Sequence, residues 1–134
     1  MAEGQILFQT FIAMLPVAWQ RAGRKGGFTY TPKKTRNAED FIKFAVGQQW
    51  KAAPLDEPLD LEVFVFTEKP KSKPKRVVFP AVKPDWDNLG KLVGDSLNGI
   101  LWKDDSVIVD GAVRKRYCDP DHPQPGYLLI LRRA

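Results

Sequence analysis

The sequence predicts a small α/β or α+β fold, with one mixed sheet of about four strands and two main helices in the order β-α-β-α-β-β. Two periodicities predict it: apolar residues alternate with polar ones in some segments and recur every three or four residues in others. A chain of 134 residues suffices for one hydrophobic core, so residues 1–134 are expected to form a single domain. Its helices should cover one face of the sheet.

The first half of the chain contributes a strand, a loop and a helix. Residues 6–15 are rich in Ile, Leu and Phe and predict a strand buried on both faces. Glycines and prolines interrupt residues 16–36, which are therefore expected to form a loop. Asn37 offers an N-cap for a helix that would run to Lys51, with Trp50 on its buried face.

The second half contributes the remaining strands. Residues 59–67 form the clearest one, because aliphatic side chains alternate with Phe64 and Phe66, which would lie on the opposite face. Residues 105–116 and 127–131 predict two further strands by the same alternation.

A second helix is predicted between these strands. Asp85 or Asp87 would cap its N-terminus, and the pair Asn98–Gly99 is a natural stop. Trp86, between the two acids, is expected to point away from them and pack against the protein.

The charge distribution indicates a protein that binds a polyanion. The net charge is +5, but residues 85–110 carry six acidic side chains and two lysines, whereas the rest of the chain carries 19 basic and 10 acidic ones. A basic body around an acidic segment suits a protein that holds a divalent cation against a polyanion. The alternative is that the acids decorate a solvated surface.

The spacing of the acids favours the first interpretation. Asp85 and Asp87 are two residues apart in extended chain and should point to the same side, with Lys91 one helical turn further on. A helix, a turn and a returning strand would bring Asp104 and Asp105 back alongside them. The ordinary alternative is that these acids form only a helix cap and a solvated turn.

The residue types narrow the chemistry. Carboxylates without thiolates or imidazoles suit Mg²⁺ or Mn²⁺, and a chain with Cys118 and His122 as its single cysteine and histidine cannot build a zinc cage. With no protein nucleophile near the acids, water is the expected attacking group on a phosphodiester, with Lys91 adding positive charge.

A resemblance to a known family rests on one set of residues: Asp85, Asp87, Asn88, Lys91, Asp95, Asp104 and Asp105. This run is similar to the signature of the RusA family of Holliday junction resolvases, which are homodimeric, Mg²⁺-dependent endonucleases that nick opposing strands of four-way DNA junctions. The resemblance implies that Asp85, Asp87 and Asp105 are catalytic and bind the metal, and that Lys91 is catalytic. Asp104, Asp95 and Asn88 are further candidates, which would contact the catalytic residues without binding the metal themselves. Residues 69–83 differ most from the family, so no cleavage sequence is implied.

Two basic segments predict contacts with the phosphate backbone of branched DNA. Their members are Arg21, Arg24, Lys25, Lys33, Lys34, Arg36, Lys69, Lys71, Lys73, Lys75 and Arg76. Two other functions stay open: a DNA-binding or architectural module without catalysis, and a metal nuclease that acts on flaps or other branched DNA.

The assembly and location follow from similar reasoning. Two nicks on opposed strands need two active sites, so a symmetric homodimer is expected, with Phe64, Phe66 and residues 77–79 as apolar material for its interface. The apolar runs are too short to span a membrane, and no signal peptide is visible, which predicts a cytoplasmic protein. The resemblance adds that such proteins are often carried by phages or prophages.

Overall fold

The computed structural model describes residues 4–17, 23–30 and 33–134. Its strands and α-helices within those residues are β1 (Ile6–Ala13), β2 (Gly23–Lys25), β3 (Phe28–Tyr30), α1 (Lys33–Gly47), β4 (Leu59–Thr67), α2 (Trp86–Leu97), β5 (Ile108–Tyr117) and β6 (Gly126–Arg133). A short 3-10 turn, Asp105–Val107, leads into β5.

The main sheet has four strands in the order β1-β6-β4-β5. β6 pairs antiparallel with both β1 and β4, whereas β4 and β5 are parallel. Parallel neighbours need a crossover connection, and α2 provides it between β4 and β5. The mixed four-stranded sheet with two helices confirms the predicted α+β fold and element order.

Both helices pack on one face of this sheet. Ile42 and Val46 of α1 and Leu92 of α2 are fully buried in one core with Val63 of β4 and Leu129 of β6. No helix in the described part of the chain is long and apolar enough to cross a membrane.

The opposite face of the sheet, which we call the open face, carries Phe64, Phe66 and Leu128. The two phenylalanines stack on each other with ring centroids 6.3 Å apart. The predicted separation of aliphatic and aromatic side chains in β4 is therefore confirmed.

The first strand and the loop after it differ from expectation. β1 ends at Ala13 and is not buried on both faces, because no described helix covers the open face, where Phe11 lies 38% exposed. The predicted loop contains a hairpin, β2–β3, which turns at Gly26 and Gly27. Both glycines have positive φ, 57° and 85°, as the two central residues of a type I′ hairpin turn require.

Helix α1 begins before the predicted N-cap, Asn37, and ends four residues before the predicted end at Lys51. It covers Lys33–Gly47, so that Asn37 lies exposed inside the helix and not at its cap. Thr35 and Ala38 extend the buried stripe, and their packing determines the start more strongly than a local capping signal does. Trp50 follows the helix and is only half-buried, with its ring centroid 5.7 Å from that of Phe8.

The two bounds of α2 match the prediction. Asp85 is the N-cap residue, in extended conformation, and Asn98 is the C-cap residue, followed by Gly99 with φ +78°. Small residues let this helix approach its neighbours: a Cβ on Gly90 would lie 3.1 Å from Val113 of β5, and one on Gly94 would lie 3.5 Å from Asp105. α2 is thereby held against the strand that follows the second pair of acids.

The junction of β1 and β6 has no room for a side chain at Gly126. A Cβ there would lie 2.2 Å from the carbonyl oxygen of Ile12 and 2.7 Å from the ring of Phe11. We expect Gly126→Ala to lower the free energy of unfolding by more than about 2 kcal/mol, because backbone must shift. The matched control is Gly47→Ala, which meets nothing within 4 Å and should leave stability unchanged or slightly higher. Urea unfolding of both variants measures this, and equal midpoints would contradict it.

Candidate active site

The first pair of acids lies at the start of α2. Asp85, the N-cap residue, makes no side-chain hydrogen bond to the helix, and its Oδ2 lies 3.4 Å from Nζ of Lys83 instead. Asp87 lies in the first turn, where its Oδ1 accepts a hydrogen bond from the backbone N–H of Asn88 at 3.0 Å. Both acids are exposed, and positive charge and backbone N–H groups surround them.

Lys91 lies one turn further along α2. Its Nζ is 3.9 Å from Oδ1 of Asp95, four residues later on the same helix. The Lys91 side chain is 52% exposed and the Asp95 side chain 29%. Asp95 therefore holds the ammonium group while leaving it accessible to a ligand.

The second pair of acids frames the 3-10 turn before β5. Asp104 caps this turn by accepting a hydrogen bond from the N–H of Ser106 at 3.1 Å, and the hydrogen bonds from Ser106 lower the pKa of Asp104. Asp105 is the first residue of the turn and lies against Gly94 of α2. Of the two, Asp105 is the one that faces the helix.

Two grooves meet at Trp86. The first, of about 510 Å³, is lined by Asp85 and Asp87 together with Lys83 and Lys115. The second, of about 310 Å³, runs between α2 and β5 and contains Asp105. Trp86 lines both, so that the indole stands between the first pair of acids and Asp105.

Trp86 is 66% exposed, which corrects the expectation that it packs against the protein. Trp86 shares a helix face with Leu89 and Val93, but it is the first residue of α2, and the buried part of that face begins only at Leu89. An indole at the start of the helix is left at the surface.

The acids do not form a closed cluster. Within the described residues, no three carboxylates, thiols or imidazoles are grouped closely enough to hold a metal ion. Two carboxylates 4 Å apart repel each other by about 4 kcal/mol at an effective dielectric constant of about 20. Lys83 and the α2 backbone offer Asp85 and Asp87 better partners than another carboxylate. The donor set itself, oxygen atoms of exposed carboxylates, fits Mg²⁺ or Mn²⁺.

The predicted DNA-binding residues lie in three places. Lys33, Lys34 and Arg36 are exposed on the first turn of α1. Lys71, Lys73, Lys75 and Arg76 are exposed in the connection between β4 and α2, whereas Lys69 is half-buried with its Nζ 5.8 Å from the ring centroid of Tyr117. Arg24 and Lys25 belong to strand β2, and Arg21 lies outside the described residues.

The structure adds one acid that sequence reasoning missed. Glu39 of α1 is close enough to Asp95 of α2 for the two charges to interact. Burial raises the pKa of Glu39, and Asp95 and Asp40 add to the rise while Lys43 opposes it. No sequence signal marks this electrostatic interaction, because it depends on how α1 packs against α2.

Comparison with known proteins gives two matches. The family model described as endodeoxyribonuclease RusA matches residues 14–122, which include every acid discussed above. The chain is also 31% identical over 113 residues, or 77% of each chain, to a protein of Bacillus subtilis (strain 168) named "Uncharacterized protein YqaN".

Glu39 makes a pH-dependent contribution to stability. Because the pKa of Glu39 is higher in the folded than in the unfolded state, the protonated side chain stabilises the folded state relative to the ionised one. This stabilisation is lost as the pH rises through the folded-state pKa. We expect Glu39→Gln to unfold at a higher temperature than the wild type at pH 7, with the difference shrinking toward pH 4. Asp110→Asn is the control, because Asp110 is exposed on β5 and is not among the charges that act on Glu39. Thermal unfolding across this pH range measures it, and a difference independent of pH would contradict the assignment.

Proposed function

The chain belongs to the RusA family of endodeoxyribonucleases, and we propose that it nicks opposing strands of four-way DNA junctions in a reaction that depends on Mg²⁺. The observation that carries the proposal is the family match, since residues 14–122 contain the whole acidic segment and both basic segments. The arrangement around Trp86 supports it, because both pairs of acids, Lys83 and Lys115 line adjoining grooves.

Asp85, Asp87 and Asp105 are the residues that would hold a divalent cation. When bound, such an ion supplies an activated water and neutralises the charge that develops on the phosphoryl oxygens. To share an ion with Asp87 and Asp105, Asp85 would give up its ion pair with Lys83. That costs little, because the Lys83 and Asp85 side chains are 87% and 51% exposed and an exposed ion pair contributes about 0–1 kcal/mol.

Lys91 would bind an oxygen of the phosphate or of the leaving group. Its ammonium lies one turn inside a helix whose N-terminal N–H groups already favour an anion. Asp95 limits the positions that the long lysine side chain can adopt, so that less entropy is lost when the phosphate binds.

The exposed basic residues of α1 and of the connection before α2 would bind the phosphate backbone around the site. They lie in segments rich in proline or at a helix start, which favours adaptation to a branched substrate over readout of one duplex groove. Binding of this kind should weaken steeply as the salt concentration rises.

The open face would form the interface of the proposed homodimer. Beside it, Val78 and Phe79 are 64% and 57% exposed, and they line a cavity of about 500 Å³ together with Phe64, Phe66 and Leu128. Charged side chains, among them Lys75, Arg116 and Asp119, complete the lining, and aromatic residues mixed with charged ones are typical of protein interfaces. A two-fold axis through this face would give each junction two active sites.

A DNA-binding module without catalysis is the second candidate. The separation of the carboxylates favours it, since no metal-binding group of three is formed within the described residues. Cleavage assays on four-way junctions, flaps and unbranched duplexes with and without Mg²⁺ separate these functions.

Substitution of the acids should separate cutting from binding. We expect Asp87→Asn and Asp105→Asn to lower the junction cleavage rate at least about a hundredfold, because each removes a charge from the metal site. Junction affinity without divalent ions should hold or rise, since repulsion from the phosphates is relieved. Asp110→Asn, which removes the same charge from the exposed side of β5, should cut normally. Normal cutting by both site variants would overturn the assignment of the active site.

A single charged substitution beside the open face tests the proposed dimer interface. We expect Val78→Glu to convert a dimer into monomers in sedimentation, because the carboxylate would be buried in the apolar contact. Phe44→Glu, on an equally exposed position of α1, should stay dimeric. A wild-type protein that sediments as a monomer both free and bound to a junction would refute the dimer.

A further inference from the structure

Trp86, the first residue of α2, exposes a large apolar ring system to solvent. Its side chain is 66% accessible, whereas Trp102 is fully buried and Trp50 is half-buried. A tryptophan can bury 150–250 Å² of surface, roughly, and usually does so in the core or against a ligand. In this chain it stands beside Asp85 and Asp87 instead.

The surroundings of Trp86 offer space and charge on its two sides. The groove between α2 and β5 is lined by small residues, Gly90, Gly94, Gly111 and Ala112, by aliphatic side chains and by the single carboxylate of Asp105. The other groove carries Lys83 and Lys115, whose charges are complementary to phosphates. A flat apolar group of a ligand therefore fits on one side of the indole, while the phosphate backbone that carries this group lies on the other side.

We propose that Trp86 stacks on an unpaired nucleobase of the DNA strand being cut, with the base seated in the groove between α2 and β5. This inference rests on the proposed function. A base inside a duplex has both faces covered by its neighbours, so the indole can stack only where a base is already free or easily unstacked. Stacking on aromatic side chains contributes about 1–3 kcal/mol for each base. Trp86 thereby favours branch points over continuous duplex.

The experiment uses a four-way junction with 2-aminopurine at the crossover, in the absence of divalent ions so that no strand is cut. Stacking quenches the fluorescence of this base. Trp86→Phe keeps an aromatic ring, whereas Trp86→Leu and Trp86→Gln do not. Phe44→Ala removes an aromatic side chain that is also 66% exposed but lies on α1, and it serves as the control.

We expect the wild type and Phe44→Ala to quench fully, Trp86→Phe to quench in part, and the two non-aromatic variants to leave the fluorescence of the bound junction unchanged. Their junction affinity should fall about tenfold (about 1.4 kcal/mol), whereas affinity for an unbranched duplex of the same sequence should not change. Circular dichroism and thermal unfolding check that each variant is folded.

Three results would overturn the inference and are distinguishable from one another. Full quenching by a folded Trp86→Leu or Trp86→Gln shows that the indole is not the stacking group, while the nuclease function stands if the wild type cuts. A Trp86 variant that changes from dimer to monomer in sedimentation places the indole in a protein interface. A wild type that neither binds nor cuts the junction removes the proposed function itself.

Discussion

Helix α2 connects β4 to β5 and packs on one face of the sheet, and the candidate site depends on this packing. Leu89, Leu92 and Val93 are fully buried against the sheet, and Gly90 lets the helix approach Val113 closely. Because β4 and β5 are parallel, the chain must cross over between them, and the crossover carries one pair of acids at its start and the other just after its end. A looser helix would separate the two pairs.

Electrostatics around this helix leave the site able to rearrange. Asp85 pairs with Lys83 and Asp95 with Lys91, and each pair includes at least one side chain that is about half exposed or more. Exposed pairs of this kind contribute little to stability, so a phosphate or a cation can replace one partner at small cost. Residues with strong structural partners lie elsewhere: the hydrogen bond from Arg114 lowers the pKa of Glu62, which also accepts from Arg132 at 3.2 Å.

The two faces of the sheet differ in composition. One face is covered by α1 and α2 and contains the fully buried aliphatic side chains of β4 and β6. The open face combines stacked aromatic rings with the ion pairs of Glu62, and His122 lies stacked on Phe66 with ring centroids 4.5 Å apart. Aromatic residues interspersed with charged ones are typical of protein interfaces, in agreement with a role for this face in assembly.

The sequence by itself determined the local elements and the segment that carries the chemistry. Alternation in 59–67 determined both the bounds and the faces of β4. The pair Asp85 and Asp87 limited the start of α2 to two positions, and Asn98 marked its end, because these signals depend on residues that are neighbours in the chain. Tertiary structure decided the start of α1, the contact of Glu39 with Asp95 and the exposure of Trp86. These depend on which elements pack together and how closely, and a one-dimensional pattern records the spacing of apolar residues but not the distances between the elements they form.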